Sequence, residues 1–132
     1  VHRSIDHSAV TIKQEVRAMA RGNPGHRRFC DDVVMSTVIE MLRFEVTDAD
    51  RDAWLEVEHR VWTGFLRTVP GFLRKETWID DDEPGVVTVV IWWESLAHWR
   101  AVTPEQCEAV DAQMGEWFRP CTMRSWRVVR SV

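Results

Sequence analysis

The stretch that decides the fold runs Pro70-Gly71-Phe72-Leu73-Arg74-Lys75-Glu76-Thr77-Trp78 and resumes at Val89-Val90-Ile91-Trp92-Trp93-Glu94-Ser95. Aromatic and β-branched residues recur in both segments, which is typical of strands. Between them, Asp81-Asp82-Glu83-Pro84-Gly85 has the composition of a hairpin loop. We therefore predict two strands, over 72–80 and 86–94, joined as a hairpin.

The flanking segments complete a β-α-β-β-α-β order. Thr47-Asp48 is a candidate helix cap, and Thr103-Pro104-Glu105-Gln106 has Thr at the N-cap, Pro at N1 and Gln at N3. The other predicted elements are a strand over 37–46, a helix over 49–69, a short helix from Ser95 to Val102, a helix from Thr103 to Arg119, and a strand over 122–130.

This order predicts an α+β, ferredoxin-like fold, with a four-stranded antiparallel sheet and the helices on one face. The strands carry bulky side chains on both faces, because the adjacent Trp92 and Trp93 must point in opposite directions. Helices can bury one of these faces. We expect a second copy of the chain to bury the other, giving a sheet-to-sheet homodimer and a dimeric α+β barrel.

Composition narrows the class of protein. The chain has 132 residues, enough for one domain, and no apolar run reaches the roughly 18 residues of a membrane span. The formal charge is −4 with scattered basic residues, which argues against nucleic acid as a partner. The N-terminus lacks the apolar segment of a signal peptide, so a cytoplasmic protein is the default expectation.

The chain divides near residue 35. Residues 1–34 have Gly22-Asn23-Pro24-Gly25 near their middle and no sustained apolar face. We interpret them as an N-terminal extension, either a disordered tail or a translation upstream of a true start near Met35. Residues 35–132 form the predicted domain.

Three segments match a known family. Val38 to Phe44, Gly71-Phe72 opening the second strand, and Trp93-Glu94-Ser95 before His98-Trp99 resemble dimeric α+β barrel proteins of the antibiotic-biosynthesis-monooxygenase type. The likeness is greatest to a bacterial subgroup with V-I-E-x-L-R-F and P-G-F-L-x-K-E-x-W strands. It implies a small-molecule pocket between the helices and the sheet. The fold's activities include cofactor-free oxygenation, haem degradation, lactone isomerisation and polyketide cyclisation.

No cofactor and no metal are expected. Haem-degrading relatives use an Asn on the first strand and a His on the second main helix, and this chain has neither residue in those segments. No two His or Cys residues in the structured part have the spacing of ligands on one element. Cofactor-free monooxygenases need only a tight apolar pocket and one base.

Glu58 is the leading candidate for that base. At 100° per residue it falls near the centre of an apolar helix face, so we expect it to point at the sheet. That face consists of Trp54, Leu55, Val57, Val61, Trp62, Phe65 and Val69. Burial favours the neutral acid, whereas Arg43, Lys75 or Arg124 can pair with the carboxylate and keep it ionised. Arg43 falls on the opposite sheet face, which favours Lys75. The alternative is a purely structural ion pair or a helix end that reaches solvent.

The other pocket candidates are mainly aromatic. Glu40 is in phase with apolar residues of the first strand, although an end-of-strand or interface charge is an equal alternative. His59 and His98 are candidate proton carriers or surface and capping residues. With eight Trp and no Tyr, the chain favours an aromatic ligand and lacks a phenolic proton donor. The predicted pocket residues are Trp54, Trp62, Trp93, Glu40, Leu42, Phe44 and Phe65, and each aromatic ring can equally serve the core or the dimer interface.

Two functions remain. In the first, the protein is an enzyme acting on a small hydrophobic, aromatic or polyketide-like molecule, as a cofactor-independent monooxygenase or as an isomerase or cyclase. Glu58 is then the base, and Lys75 or Arg74 orients an oxyanion. In the second, the same cavity belongs to a non-catalytic dimeric binding or stress-associated protein.

Overall fold

The structure is a computed structural model that describes residues 35–132. The expectation for residues 1–34 lies outside the described part. The described chain forms a four-stranded antiparallel sheet in the order β2-β3-β1-β4, and the predicted fold class is confirmed. In chain order the elements are β1 (Val38–Glu45), α1 (Asp48–Glu58), a π-helical turn (His59–Thr63), α2 (Gly64–Leu66), β2 (Phe72–Asp80), β3 (Glu83–Trp93), α3 (Leu96–Ala101), α4 (Pro104–Met114), a 3-10 turn (Gly115–Trp117) and β4 (Cys121–Arg127).

The strand register sets one row of side chains across the sheet. Lys75 of β2 lies opposite Ile91 of β3, and Ile91 lies opposite Glu40 of β1. Ser125 of β4 continues the row beyond Glu40. Residues in one row project from the same face, so the sheet presents two charged side chains to the side on which the helices pack.

A β-bulge in β2 changes which of its residues face the helices. Phe72 pairs with Trp93, but the next pair is Arg74 with Trp92, so Leu73 is an extra residue. Beyond the bulge, Lys75 points to the helix side even though regular alternation from Phe72 would place it on the other face. The bulge therefore brings Lys75 inside the molecule.

The hydrophobic core lies between the helices and this inner face. Trp54 of α1 packs on Phe44 of β1, with ring centroids 4.8 Å apart, and Phe72 packs on Trp93 at 6.3 Å. The buried core comprises Val38, Val46, Trp54, Leu66, Val87, Val89, Ile91, Trp93, Leu96, Trp99, Val102, Cys107, Met114 and Met123. Burying such side chains contributes about 1.5–3 kcal/mol each, so the helices are held mainly by this layer.

The first helical region differs from the single helix predicted over 49–69. It is helical from Asp48 to Leu66, but the π-helical turn interrupts it after Glu58. Thr47 occupies the N-cap position without a side-chain capping hydrogen bond, so the predicted cap chemistry was wrong there. Helical periodicity does not detect the π turn, because the apolar spacing of residues 54–69 gives no sign of an extra residue in one turn.

Three other element boundaries also differ from the predicted ones. The hairpin is tighter than the predicted five-residue loop, because β3 already begins at Glu83. Helix α4 ends at Met114, five residues early, where Gly115 adopts φ 57°. The last strand covers Cys121–Arg127 instead of 122–130. By contrast, the predicted capping box of Thr103 with Gln106 and the Ser95 cap are confirmed.

Helix α4 is tied to the π turn by a hydrogen bond between Trp62 and Asp111. The Nε1 of Trp62 donates to Oδ1 of Asp111 at 3.2 Å. Burial raises the pKa of the Asp111 carboxyl to about 6, and the nearby charge of Glu108 adds to this while the bond from Trp62 opposes it. The ionised form of Asp111 is therefore energetically disfavoured at this helix contact.

Within residues 35–132, no helix combines the length and apolar character that crossing a membrane requires.

Gly71, directly before strand β2, cannot be replaced by a residue with a side chain without strain. Its φ is +85°, and a Cβ there would overlap the side chain of His98. We expect Gly71→Ala to lower the free energy of unfolding by about 2–4 kcal/mol, from backbone strain and overpacking together. Urea denaturation measures the change. The matched control is Gly64→Ala, which sits in a helix with open space around it and should raise stability by about 0.5–1 kcal/mol. Equal effects of the two substitutions would contradict this account.

Asp111 should make stability depend on pH. Because its pKa is raised in the folded state, folding favours the protonated acid, and stability is lost as pH rises from about 4 through about 6. Asp111→Asn keeps an acceptor for Trp62 and cannot ionise. It should stabilise the protein by about 2 kcal/mol at pH 8 and give no gain near pH 4, as measured by denaturation at both pH values. Glu56→Gln, an exposed carboxyl on α1, is the control; a gain from Asp111→Asn that is independent of pH would contradict the assignment.

Candidate active site

A buried ion pair joins helix α1 to the edge strand β2. The Nζ of Lys75 donates to Oε1 of Glu58, and each side chain is 6% exposed. The same ammonium donates to Oγ1 of Thr63 at 2.8 Å. Of the three cationic partners proposed for Glu58, the structure selects Lys75. Buried charges are tolerated when they are paired and hydrogen-bonded, and this arrangement supplies both conditions.

The two other candidate partners lie elsewhere. Arg43 forms an ion pair with Glu83 at the surface. The guanidinium of Arg124 lies 5.0 Å from the ring centre of Trp126. Both arginines belong to the outer face of the sheet, because their register partners alternate with the residues that face the helices.

The π turn aligns polar side chains along one side of the helix. His59 and Thr63 belong to the turn, and Arg67 follows one turn later, where its backbone N–H donates to the Thr63 carbonyl at 3.0 Å. The four-residue spacing places the three side chains in a stripe that faces β2. π turns are rare overall, but those that do occur are frequently found at functional sites. Here the turn supplies the wall of a pocket.

An open pocket of about 330 Å³ lies between this stripe and strand β2. Its volume is at the small end of the range for small-molecule sites, about 300–1,000 Å³. The ion pair forms part of its wall through Lys75 and the adjoining Thr63. The pocket is lined by His59, Thr63, Arg67, Phe72, Arg74, Lys75 and Thr77.

Electrostatics at Lys75 reflect its surroundings. Burial lowers the pKa of the ammonium, the Glu58 carboxylate opposes this, and the positive charge of Arg67 lowers it further. A buried amine whose pKa is lowered toward neutrality gives up its proton more readily than a surface lysine. Lys75 can therefore donate a proton, accept one, or stabilise an oxyanion in the pocket.

Glu40 is a second buried carboxylate, 4% exposed, on the same face of the sheet. It accepts hydrogen bonds from the indole Nε1 of Trp99 at 2.9 Å and of Trp93 at 3.4 Å. Two indole donors converge on one carboxylate beneath helix α3. The bonds fix the orientation of both rings, so a structural role in the core is evident from these contacts.

The predicted pocket residues divide between the core and its margin. Trp54 and Trp93 are each 1% exposed and lie within the core. Leu42, Phe44, Trp62 and Phe65 pack against that core and are partly buried. The pocket beside Lys75 is lined by none of these residues. Among the residues predicted as catalytic or pocket-lining, the structure brings together Glu58 and Lys75, and separately Glu40 and Trp93.

The two candidate histidines have different environments. His98 Nδ1 lies 2.7 Å from Oγ of Ser95, and its backbone N–H donates to the same oxygen at 3.1 Å, so it takes part in the cap of α3. His59 is exposed and lines the pocket.

Sequence reasoning missed Thr63, Arg67, Phe72 and Thr77 as lining residues. The sequence does carry a signal for the two helix residues, Thr63 and Arg67. Their four-residue spacing from His59 places all three on one helix side. The strand residues were hidden by the bulge, since regular alternation assigns Phe72 and Lys75 to opposite faces.

Solved structures show where this fold occurs. SnoaB, a cofactor-independent oxygenase from Streptomyces nogalater, is 15% identical with a TM-score of 0.55, over 74% of this chain and 97% of that chain. The monooxygenase from the gene ActVA-Orf6 of Streptomyces coelicolor, in complex with Nanaomycin D, is 19% identical with a TM-score of 0.58, over 74% and 92%. Rv0793 from Mycobacterium tuberculosis is 19% identical with a TM-score of 0.55, over 73% and 98%. At these identities the likeness establishes the fold.

A family comparison goes further. No curated protein matches this chain. The family model described as antibiotic biosynthesis monooxygenase matches residues 37–104, slightly more than half of the sequence, and spans β1 through the start of α4. The matched range contains Glu58, Lys75 and every residue that lines the pocket. The chain therefore belongs to the antibiotic biosynthesis monooxygenase family.

Proposed function

We propose that this protein is a monooxygenase-like enzyme that oxidises a small, electron-rich aromatic molecule without a bound cofactor. The observation that carries the proposal is the buried Glu58–Lys75 pair at the wall of a pocket, in a chain of this family. Similarity of fold to a cofactor-independent oxygenase and to a monooxygenase supports it.

The pair provides a route for one proton. A phenol or hydroquinone must lose a proton before its ring becomes electron-rich enough to react with oxygen. In our proposal, Lys75 passes a proton to Glu58, and the neutral amine then takes the proton of the substrate hydroxyl. The resulting ammonium lies beside the new oxyanion and stabilises it. Glu58 thus positions Lys75 and accepts its proton, while Lys75 touches the substrate.

Proton transfer alone also serves an isomerase or a cyclase, and the same residues would act in the same order. A non-catalytic binding protein is the alternative from another class, in which the pair is only structural. These possibilities differ in oxygen consumption and in the response to substitution of Lys75.

We also propose that the protein is a homodimer formed through the outer face of the sheet. This face carries Trp78 and Trp126, which are 44% and 41% exposed, and Trp92 lies between them in the sheet. Exposed tryptophans grouped on one sheet face are typical of an interface, and members of this family are often dimers. A symmetric contact would bury both copies of this face.

Turnover should depend on both members of the pair. With naphthohydroquinone as a probe, we expect oxygen uptake above the uncatalysed rate, followed with an oxygen electrode. Lys75→Met and Glu58→Gln should each reduce this rate by about 10²- to 10⁴-fold, because the proton route is interrupted. Nanaomycin D binding, read from tryptophan fluorescence quenching, should persist. Arg51→Met, which removes a partly exposed helix ion pair with Asp48, is the matched control and should keep full activity.

The structural alternative is tested with the double variant. Removing one partner leaves a buried charge and costs about 3–5 kcal/mol, whereas Glu58→Gln combined with Lys75→Met leaves none. The double variant should therefore regain stability and remain inactive. If it regained turnover together with stability, the pair would be structural and the proposed mechanism would fall. Absence of catalysed oxygen uptake with retained ligand binding would reject the oxygenase and leave the isomerase or cyclase and the binding protein.

Dimerisation should fail when a charge enters the outer face. We expect the wild-type chain to sediment as a dimer and Trp126→Glu to sediment as a monomer, since each copy would have to bury an unpaired carboxylate in the contact. Val129→Glu, at an 82% exposed position beyond β4, is the control and should remain dimeric. A monomeric wild-type protein would contradict the dimer.

A further inference from the structure

The pocket beside Lys75 is strongly basic. Four of its lining side chains are basic, namely His59, Arg67, Arg74 and Lys75, and none of the lining side chains is acidic. The rest of the lining consists of two threonines and Phe72. A cavity with this lining attracts anions and repels cations.

Two of these cations are already neutralised by the protein. Lys75 pairs with Glu58, and Arg74 pairs with Glu76 while its guanidinium lies 4.1 Å from the ring centre of Trp92. These two pairs add no net charge to the pocket. The guanidinium of Arg74 is also held in place by the stacking contact.

Arg67 is the remaining fixed charge. Within residues 35–132, no ion pair and no side-chain hydrogen bond involves its guanidinium. It is exposed at the mouth of the pocket, and its charge reaches Lys75, whose pKa it lowers. Among the described side chains that line the pocket, Arg67 is therefore the permanently charged one that has no ion-pair partner.

We propose that the substrate of this site carries a single carboxylate, which Arg67 binds at the mouth of the pocket. A guanidinium presents two parallel N–H donors that match the two oxygens of a carboxylate, and one unpaired charge matches one negative charge. The apolar part of the molecule then lies along Phe72, and its reactive hydroxyl reaches toward Lys75. This inference rests on the proposed function for the identity of the reacting group, but not for the anion site itself.

Binding of naphthoate tests the anion site without any turnover. The full chain is titrated with naphthoate and with the neutral analogue naphthylmethanol, and tryptophan fluorescence is followed. We expect naphthoate to bind more tightly than naphthylmethanol, and added salt to weaken only naphthoate. Arg67→Gln should weaken naphthoate by about 10- to 100-fold, the range for a charged hydrogen-bonded contact, and leave naphthylmethanol unchanged.

Arg60→Gln is the matched control, because Arg60 is an exposed cation of the same π turn that does not line the pocket. It should leave naphthoate affinity unchanged. An equal loss from Arg60→Gln and Arg67→Gln would overturn the proposal, since the effect would then come from overall charge. Failure of naphthoate to bind at millimolar concentration would also overturn it. Tighter binding of naphthyl phosphate than of naphthoate would overturn the assignment of a carboxylate.

The outcome is separable from that of the proposed function. Suppose that naphthoate binding depends on Arg67 but the rate of oxygen uptake is unchanged by Lys75→Met. That result would uphold the anion site and reject the oxygenation. Catalysed oxidation of naphthohydroquinone that depends on Lys75, with no preference for naphthoate, would uphold the oxygenation and reject the anion site.

Discussion

The ion pair between Glu58 and Lys75 is the constraint around which this structure is arranged. Neither charge can be buried alone, since an unpaired ion in the interior costs several kcal/mol, so α1 and the edge strand β2 must meet at this one point. The contact lies where helix α1 ends and the π turn begins. It also fixes the distance between the turn and the strand, and the pocket occupies the space that remains between them. Thr63, which takes a further hydrogen bond from Lys75, leaves the ammonium with two partners in the protein.

The inner face of the sheet buries a second carboxylate, Glu40, with a different kind of partner. Glu40 stands two strands from Lys75 in the same row, with Ile91 between them. It is held by indole N–H groups of Trp93 and Trp99, which are neutral donors, whereas Glu58 is held by an ammonium. Rigid aromatic donors leave little freedom to the Glu40 carboxylate. An ammonium on a flexible stem can exchange a proton and turn toward a ligand. This difference is the reason that the proposed function assigns the proton transfer to Glu58 and Lys75 and not to Glu40.

Much of this arrangement was predictable from the sequence. The element order follows from caps and strand patterns, and helical periodicity directs Glu58 at the sheet. Lys75 was favoured as its partner because Arg43 falls on the opposite face. What the sequence did not reveal has specific causes. The π turn leaves no sign in the apolar spacing of the sequence, the bulge at Leu73 breaks alternation without changing composition, and Gly115 ends α4 before the pattern of apolar residues stops. The bulge hid the role of Phe72 in the pocket lining, whereas Thr63 and Arg67 carried a signal in their four-residue spacing that the prediction did not use.

The bulge at Leu73 also bears on how such a pocket can diversify. Because Leu73 is an extra residue in the pairing, regular pairing of the same sequence without the bulge would turn Lys75 outward and Arg74 inward without altering a single side chain. The edge position of β2 tolerates such a shift better than a central strand would, since only one neighbour must adjust its pairing. A shift of register alone, with no substitution, would thereby take the Lys75 amine away from Glu58 and from the pocket wall. The core made by β1 and β3 would keep its packing while the chemistry presented to the ligand changed.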